Sequence, residues 1–245
     1  MINNEFYDTL GSGWLTGCDH PVALLRAENK VRIPWVKAEI AKRFDGPISL
    51  LDIGCGAGLL TNALAKEHRV TGIDLSEGSL KVAKETDETK TVDYRIANAY
   101  DLPFGDASFD LVSAMDVLEH VEEPNRLIRE AGRVLKPGGS FFFHTFNRNP
   151  LSYLVIIKGV EWCVRNTPSN MHVYPLFIKP AELKRYCFLH HLHVETLIGL
   201  RPKFLSLPFL KMLLTRRVSD SFAFRFSKSL ATGYCGIAKK GVNHG

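Results

Sequence analysis

The stretch ISLLDIGCGAGLL, residues 48–60, decides the fold of this chain. It starts as a short apolar run and then carries three glycines, Gly54, Gly56 and Gly58, before the helix-like stretch LLTNALAKE. A short apolar run that ends in glycines is typical of a buried parallel strand. Glycines at this place let the backbone approach a ligand closely. The sequence therefore predicts a strand, a ligand-binding loop and a helix in succession.

The same rhythm continues along the chain. The stretches that predict strands two to five are VTGIDLS, DYRIANA, FDLVSAMDV and SFFFHTF, with helices predicted from SLKVAKET and PNRLIREAGRVL and a turn from KPGG. Strand and helix alternate at the spacing of α/β proteins, which predicts an open sheet with helices on both faces. Ligands of such sheets bind beyond the carboxyl ends of the strands.

The pattern changes after Asn149. LSYLVIIKGVEWCVRNTP and PAELKRYCFLH predict helices, whereas HVETLIGLR and LATGYCGIAKK predict two more strands. The fold class expected is therefore α/β, with a doubly wound, mostly parallel, seven-stranded sheet and a helical, basic insertion after strand five. We expect a single domain over residues 1–245. Its parts are a helical cap (1–45, with a helix predicted from Lys30 to Phe44), a cofactor-binding core (48–146) and a substrate-facing or membrane-facing insertion (150–215).

Composition limits the kind of protein. Of 245 residues, 45% are hydrophobic and 23% charged, as in a soluble globular protein. The five cysteines form no CxxC pair, which indicates free thiols in a reducing compartment. The start, MINNEFYDTL, resembles neither a signal nor a transit peptide, and no apolar run reaches the roughly 20 residues that span a bilayer. These features predict a cytoplasmic protein.

Charge is divided unevenly along the chain. Residues 1–150 carry 17 Lys+Arg and 22 Asp+Glu, whereas residues 151–245 carry 14 and 4. A basic second half suggests a surface that meets an anionic partner. No N/D-P-P-Y/F stretch for methylation of a base nitrogen follows strand four, so we do not expect a nucleic-acid partner.

Two acidic residues accompany the glycines. Asp52 lies at the end of the first strand, and Asp74 ends the second strand, 20 residues after Gly54. An acidic residue at that place can accept both hydroxyls of an adenosine ribose. NAD and S-adenosylmethionine share this contact, but dinucleotide-binding loops have the form GxGxxG, and here the third glycine comes one residue early. A tight turn with a helix-capping aspartate is the alternative.

The combination resembles the class I S-adenosylmethionine-dependent methyltransferases. LLDIGCGAG, VTGIDLS, FDLVSAMDVLEHV and LKPGG are similar to the successive motifs of that family over residues 48–146. The resemblance implies its Rossmann-like methyltransferase fold and S-adenosylmethionine as cofactor. It implies cofactor contacts from Asp52, Gly54, Gly56, Asp74, Leu75, Asn98, Ala99 and Met115, with Asn98 and Ala99 near the adenine.

The flanking segments are similar to those of the ubiquinone biosynthesis O-methyltransferases. TFNRN, NMH and FIKPAEL match segments of those enzymes, which methylate phenolic hydroxyls of polyprenylated ubiquinone precursors. LLRAENKVRIPWV resembles their segment that closes over the cofactor, which implies that Arg32 neutralises the methionyl carboxylate; the alternative is a surface helix charge. The N-terminal stretch, HVYPLF and ATGYCGIAKK depart from the family form. The acceptor thus stays open between a polyprenylated phenol and another small metabolite, and a non-enzymatic cofactor-binding protein is a further alternative.

The stretch MDVLEHVEEP follows strand four and carries Asp116, Glu119 and His120. If a helix begins at Val117, these side chains lie on adjacent parts of one surface. Two carboxylates and an imidazole suit Mg²⁺, Mn²⁺ or Zn²⁺, and a cation bound to a catechol would lower the pKa of its hydroxyls. The family form is E-x-x-E-H, so Asp116 shortens the first ligand. Alternatively, Asp116 caps the helix and His120 acts as general base, with His144 as another candidate base.

Two apolar stretches with basic residues, 151–165 and 203–217, suit a peripheral contact with an anionic membrane at its inner face. The basic side chains expected to meet the headgroups, within or beside these stretches, are Lys158, Arg165, Arg201, Lys203, Arg216 and Arg217. An apolar lid over the core is the alternative, and the two are compatible because a lipid-like phenolic substrate resides in the bilayer.

Overall fold

The glycine-flanked apolar run forms the centre of the sheet. In the computed structural model, which describes residues 5–242, strand β1 (Ser49–Ile53) pairs in parallel with β2 (Arg69–Asp74) on one side and with β4 (Phe109–Met115) on the other. A strand between two parallel neighbours in a helix-covered sheet is buried on both faces, which agrees with the full burial of its apolar side chains Leu50, Leu51 and Ile53. The carboxyl ends of these three strands therefore meet at one edge of the sheet.

Eight strands form a single mixed sheet in the order β3-β2-β1-β4-β5-β8-β6-β7. The remaining strands are β3 (Asp93–Ile96), β5 (Leu135–Phe146), β6 (Leu192–Pro202), β7 (Phe224–Ser227) and β8 (Gly233–Lys240). Strands β1 to β5 pair in parallel, β8 runs antiparallel to β5 and β6, and β7 runs antiparallel to β6. The predicted mostly parallel sheet is confirmed, but the count of seven misses β7, a four-residue strand at the edge.

Helices cover both faces of this sheet. They are α1 (Glu5–Thr9), α2 (Val22–Ala41), α3 (Leu59–Ala65), α4 (Glu77–Thr86), α5 (Pro124–Val134), α6 (Pro150–Ser152), α7 (Gly159–Cys163), α8 (Pro180–Leu189) and α9 (Leu207–Thr215). Consecutive rings of β5 point to opposite faces: Phe141 and Phe143 pack in the core beside α5, and Phe142 packs in the core beside α2 and α3. The alternation of a strand thus fills two cores at once.

Two predicted boundaries are wrong. KPGG is not a turn between a helix and a strand, because β5 already begins at Leu135. The register of the pairing between β4 and β5 shifts between Phe109 and Leu111, and Gly138 in this stretch has a φ of +78°. The extra residues of this bulge are accommodated by glycines. Helix α2 begins at Val22 rather than at Lys30, and Pro34 lies inside it.

The segment 150–215, which was predicted to be one insertion, contains both helices outside the core and elements that belong to the sheet and its core. Residues Pro150–Cys163 form α6, a π-helical segment (Tyr153–Lys158) and α7, and a 3-10 turn follows at Tyr174–Leu176. Helix α8 and strand β6 belong to the main core, to which they contribute Leu183, Cys187 and Leu192. Two separate segments, Pro150–Leu176 and α9, therefore cover the carboxyl-end edge. Within residues 5–242, no helix has both the length and the apolar character needed to cross a membrane.

Candidate functional site

The glycine loop is pinned to the end of β2. The amide of Gly56 donates to Asp74 Oδ2 at 2.8 Å, and the amide of Ser76 donates to Asp74 Oδ1 at 2.9 Å. Gly56 has a φ of +52°, and a Cβ there would lie 2.9 Å from the Trp14 ring. Only glycine combines this backbone conformation with so close an approach. Asp74 thus shapes the loop while its remaining lone pairs face the cleft.

Asp52 fixes the end of β1, directly before the glycine loop. Its carboxylate accepts hydrogen bonds from the hydroxyls of Thr61 at 2.7 Å and Ser113 at 2.6 Å. Burial raises the pKa of Asp52 to about 6. Both of its oxygens are already hydrogen-bonded, so the residue ties the end of β1 to α3 and β4 at the wall of the cleft.

One cleft of about 550 Å³ opens at the carboxyl ends of β1, β2 and β4. The nine residues for which sequence and resemblance predict cofactor contacts all line it: Arg32, Asp52, Gly54, Gly56, Asp74, Leu75, Asn98, Ala99 and Met115. Leu75 is 68% exposed and offers an apolar surface beside Asp74. The cleft combines a carboxylate, an arginine and apolar walls, which suits a ligand with ribose, carboxylate and aromatic parts.

The N-terminal segment closes one side of this cleft. Asp8 Oδ1 accepts a hydrogen bond from the Ser76 hydroxyl at 2.7 Å, and the Ser79 hydroxyl donates to the carbonyl of Tyr7 at 3.1 Å. Tyr7 stacks on Trp14 with 5.5 Å between ring centroids. These contacts hold α1 against the start of α4 and bring Tyr7 into the site, where sequence reasoning did not place it.

Asp116 is the centre of a buried charge network. Its φ is +59°, and its carboxylate contacts Arg32 Nη2 at 2.5 Å and also accepts from Nδ1 of His144. Arg32 is only 1% exposed and lies 3.8 Å from Glu28 Oε2, so it is not a surface helix charge. Burial alone would raise the pKa of Asp116, but Arg32 and His144 outweigh burial and hold that pKa well below its ordinary value.

The predicted metal-binding trio does not assemble. A 3-10 turn at Leu118–His120 replaces the predicted helix, so Asp116, Glu119 and His120 are not related by helical spacing. Among residues 5–242, the only cluster of His, Cys, Asp or Glu with three ligand atoms within 4.8 Å of one another is Glu28, Asp116 and His144. Nor does Asp116 cap a helix, because Arg32 and His144 take its carboxylate.

Glu119 and His120 lie beside this network without polar partners of their own. Both carboxylate oxygens of Glu119 and Nδ1 of His120 are buried and accept or donate no hydrogen bond within the described residues. Burial, and then the charge of Asp116, raise the pKa of Glu119 to about 8. Burial lowers the pKa of His120 to about 4, which leaves its imidazole neutral at pH 7.

His144 is a poor candidate for a base that touches a substrate. Its side chain is fully buried, its Nδ1 is bonded to Asp116, and its ring packs against Phe146 at 5.4 Å. It lines neither the cofactor cleft nor the cavity beside it. His144 is placed to orient Asp116.

A second, mostly apolar cavity of about 170 Å³ lies next to the cofactor cleft. We call it the acceptor cavity. Helix α9, the helical run Pro150–Cys163 and the start of α2 provide about half of its lining residues. Its polar lining residues are Tyr7, Glu28, Asp116, Glu119, His120 and His172. Tyr7, Leu25, Asp116 and His120 line both the cleft and the cavity, so the two spaces meet at these residues.

His172 is the second residue that sequence reasoning missed as a site residue. Its ring lies 5.4 Å from that of His120, and burial, followed by the proximity of His120, lowers its pKa to about 3. His172 belongs to the segment NMH, residues 170–172, which is similar to a segment of the ubiquinone biosynthesis O-methyltransferases. That similarity is the sequence signal that could have identified it.

Comparison with known proteins agrees with this arrangement. Residues 51–143 match a family model described as a methyltransferase domain. The chain is 42% identical over 163 residues to a ubiquinone biosynthesis O-methyltransferase of Bordetella avium, covering 65% of this chain and 67% of that relative. It is 41% identical over 181 residues to the enzyme of that name from Dechloromonas aromatica, covering 70% and 75%.

A solved structure shares the fold at lower identity. An S-adenosylmethionine-dependent methyltransferase from Methanosarcina mazei superposes with a TM-score of 0.56 and 23% identity, covering 84% of this chain and 98% of that one. At this identity the likeness concerns the fold alone, and the predicted Rossmann-like methyltransferase fold is confirmed.

Proposed function

Because the chain belongs to the ubiquinone biosynthesis O-methyltransferases and is an S-adenosylmethionine-dependent methyltransferase, we propose that its acceptor is a phenolic hydroxyl on the ring of a polyprenylated quinone precursor. One observation carries the proposal: the polar cofactor cleft and the apolar acceptor cavity meet at Tyr7, Leu25, Asp116 and His120. Methyl transfer requires such a junction, because donor and acceptor must lie in line.

The cleft residues suit the parts of S-adenosylmethionine. Asp74 has lone pairs left for the ribose hydroxyls, and the apolar surface of Leu75 lies beside it for the adenine. Nε and Nη1 of Arg32 are buried and make no hydrogen bond within the described residues. These donors can bind the methionyl carboxylate while Nη2 stays paired with Asp116.

His120 is proposed as the general base. When bound, S-adenosylmethionine would supply an electrophilic methyl group on a sulfonium, with a neutral thioether as the leaving group that keeps the bonding electrons. A phenol has a pKa of about 10, so the hydroxyl needs a base at neutral pH. The neutral imidazole of His120 can take that proton as the methyl group is transferred. Burial disfavours the imidazolium that results, and the charge of Asp116 offsets part of that cost.

The residues present do not fit a divalent cation. The three predicted ligands are not gathered, and the guanidinium of Arg32 already neutralises Asp116. A cation would have to displace Arg32 against the attraction of a buried ion pair. The proposed methyl transfer therefore involves no metal ion.

A labelled-methyl assay tests this proposal directly. With short-tailed prenyl phenols, we expect transfer of label into the organic phase, at a rate that an excess of chelator leaves within about twofold. The control is the same reaction with heat-denatured protein. Absence of label in any phenolic acceptor would refute the proposed acceptor, and a chelator-sensitive rate restored by Mg²⁺ would refute the metal-free mechanism.

We also propose that α9 and its neighbours contact an anionic membrane. Leu205, Leu207 and Leu214 are 103%, 82% and 86% exposed, whereas Phe209 and Met212 on the same segment line the acceptor cavity. Arg165, Lys211 and Arg217 surround a groove of about 540 Å³ beside this helix, and none of the acidic residues between positions 5 and 242 lines it. The segment can therefore serve both as a lid and as a contact surface, with leucines for the acyl chains and basic side chains for headgroups.

Liposome flotation measures this contact. At low salt, we expect the protein to float with vesicles that contain anionic lipid. The double variant Leu207→Gln/Leu214→Gln should bind these vesicles about tenfold or more weakly, because glutamine lacks the free energy that leucine gains on transfer from water to the acyl chains. The matched control is Phe188→Gln/Leu189→Gln, which alters two exposed apolar residues at the end of α8. Equal flotation of all three proteins would argue against α9 as the contact.

A further inference from the structure

A continuous row of aromatic rings connects the glycine loop with the acceptor cavity. Trp14 stacks on Tyr7 at 5.5 Å, and Tyr7 meets His120 at right angles at 5.9 Å. His120 lies 5.4 Å from His172, which in turn lies 5.2 Å from Phe146. The two imidazoles are the members of this row that bring ring nitrogens to the acceptor cavity. The row is a mostly apolar wall in which the two imidazoles are the polar positions.

His172 and His120 occupy different positions, which indicates different roles. His120 lines both the cofactor cleft and the acceptor cavity, whereas His172 lines the cavity alone. It is therefore one step further from the site of methyl transfer. Phe146 and Phe177 hold its ring at 5.2 and 6.1 Å. Phenyl rings offer its nitrogens no ordinary hydrogen-bond partner, so those nitrogens remain for a ligand.

The spacing of the two imidazoles suits two oxygens on one acceptor ring. A hydrogen bond from a ring nitrogen to an oxygen spans about 2.7–3.2 Å, and an imidazole offers one donor and one acceptor. With 5.4 Å between their centroids, each imidazole can reach one of two oxygens on neighbouring carbons of an aromatic ring. We infer that His172 is a positioning residue that binds the oxygen next to the hydroxyl methylated beside His120. This inference rests on the proposed function, because it requires an aromatic acceptor in the cavity.

The expected consequence is a preference among acceptors. A site that offers a hydrogen bond to an oxygen discriminates against the analogue that lacks it, because the buried nitrogen then loses its partner. The wild-type enzyme should methylate a phenol with two adjacent hydroxyls better than the matched phenol with one hydroxyl and the same tail.

His172→Phe tests the inference, since phenylalanine keeps a flat ring and removes both nitrogens. We expect kcat/KM for the two-hydroxyl acceptor to fall by about 10-fold to 100-fold, and for the one-hydroxyl acceptor to stay within about threefold. His172→Asn, which keeps a donor and an acceptor, should recover part of the loss. Cofactor affinity and the thermal midpoint of both variants serve as checks of folding.

Two results would overturn the assignment. The first is a wild-type enzyme with equal kcat/KM for the two acceptors. The second is a His172→Phe variant whose kcat/KM falls by the same factor for both acceptors. If the wild type methylates neither phenol, the proposed function itself fails. That outcome is distinct, because the first two results require an active wild type.

Discussion

Asp74→Ala is expected to weaken the binding of S-adenosylmethionine by about 100-fold or more. The substitution removes the acceptor for the ribose hydroxyls. It also frees the amides of Gly56 and Ser76, which Asp74 holds at 2.8 and 2.9 Å. The glycine loop then loses the contact that fixes its shape before the ligand arrives. Isothermal titration calorimetry with the cofactor measures the effect.

Two further variants separate these contributions. Asp74→Asn keeps one oxygen that can accept a hydrogen bond, so we expect a loss of about tenfold, between the wild type and the alanine variant. Asp101→Ala removes an exposed carboxylate near Asn98 and should leave affinity within about twofold. An affinity for Asp74→Ala equal to that of the wild type would refute the assignment of the cleft to this cofactor.

The fold class could be predicted because its signals are local. Strands β1, β2 and β4 are short and largely apolar, and each ends where glycine or acidic residues stand. The start of α2 could not be predicted in the same way. Glu28, Asn29 and Arg32 lie on its buried side and interrupt the apolar stripe that marks a helix. Their burial becomes favourable only once Arg32 meets Asp116, a contact across 84 residues. Strand β7 does have a local signal, the alternation of Phe222, Phe224 and Phe226.

The site was predictable to the extent that it lies at the ends of neighbouring strands. The predicted cofactor residues after β1, β2 and β4 share one cleft because parallel strands end at one edge. The spacing of Asp116, Glu119 and His120 was misleading, because Asp116 adopts a left-handed φ that turns its carboxylate toward Arg32 and His144. Tyr7 and His172 come from distant segments, and only tertiary packing brings them to His120.

His120→Gln is expected to lower kcat by about 100-fold to 10,000-fold, because glutamine cannot take the proton of the phenol. Cofactor affinity should change by less than about threefold, since Asp74 and the glycine loop are untouched. His193→Ala, at an exposed histidine near the start of β6, is the matched control and should retain full activity. Single-turnover assays with labelled cofactor separate the chemical step from binding and product release.

The pH profile of kcat/KM provides an independent check on this role. A base with an ordinary histidine pKa would lose activity below about pH 6.5. Burial lowers the pKa of His120 to about 4, so this imidazole stays unprotonated through the mildly acidic range. We therefore expect protonation of His120 to cause no decline of kcat/KM above about pH 5 in the wild type. A decline centred near pH 6.5 that disappears in His120→Gln would place a solvated histidine at the reaction, and the buried arrangement beside Asp116 would then not be the one that reacts.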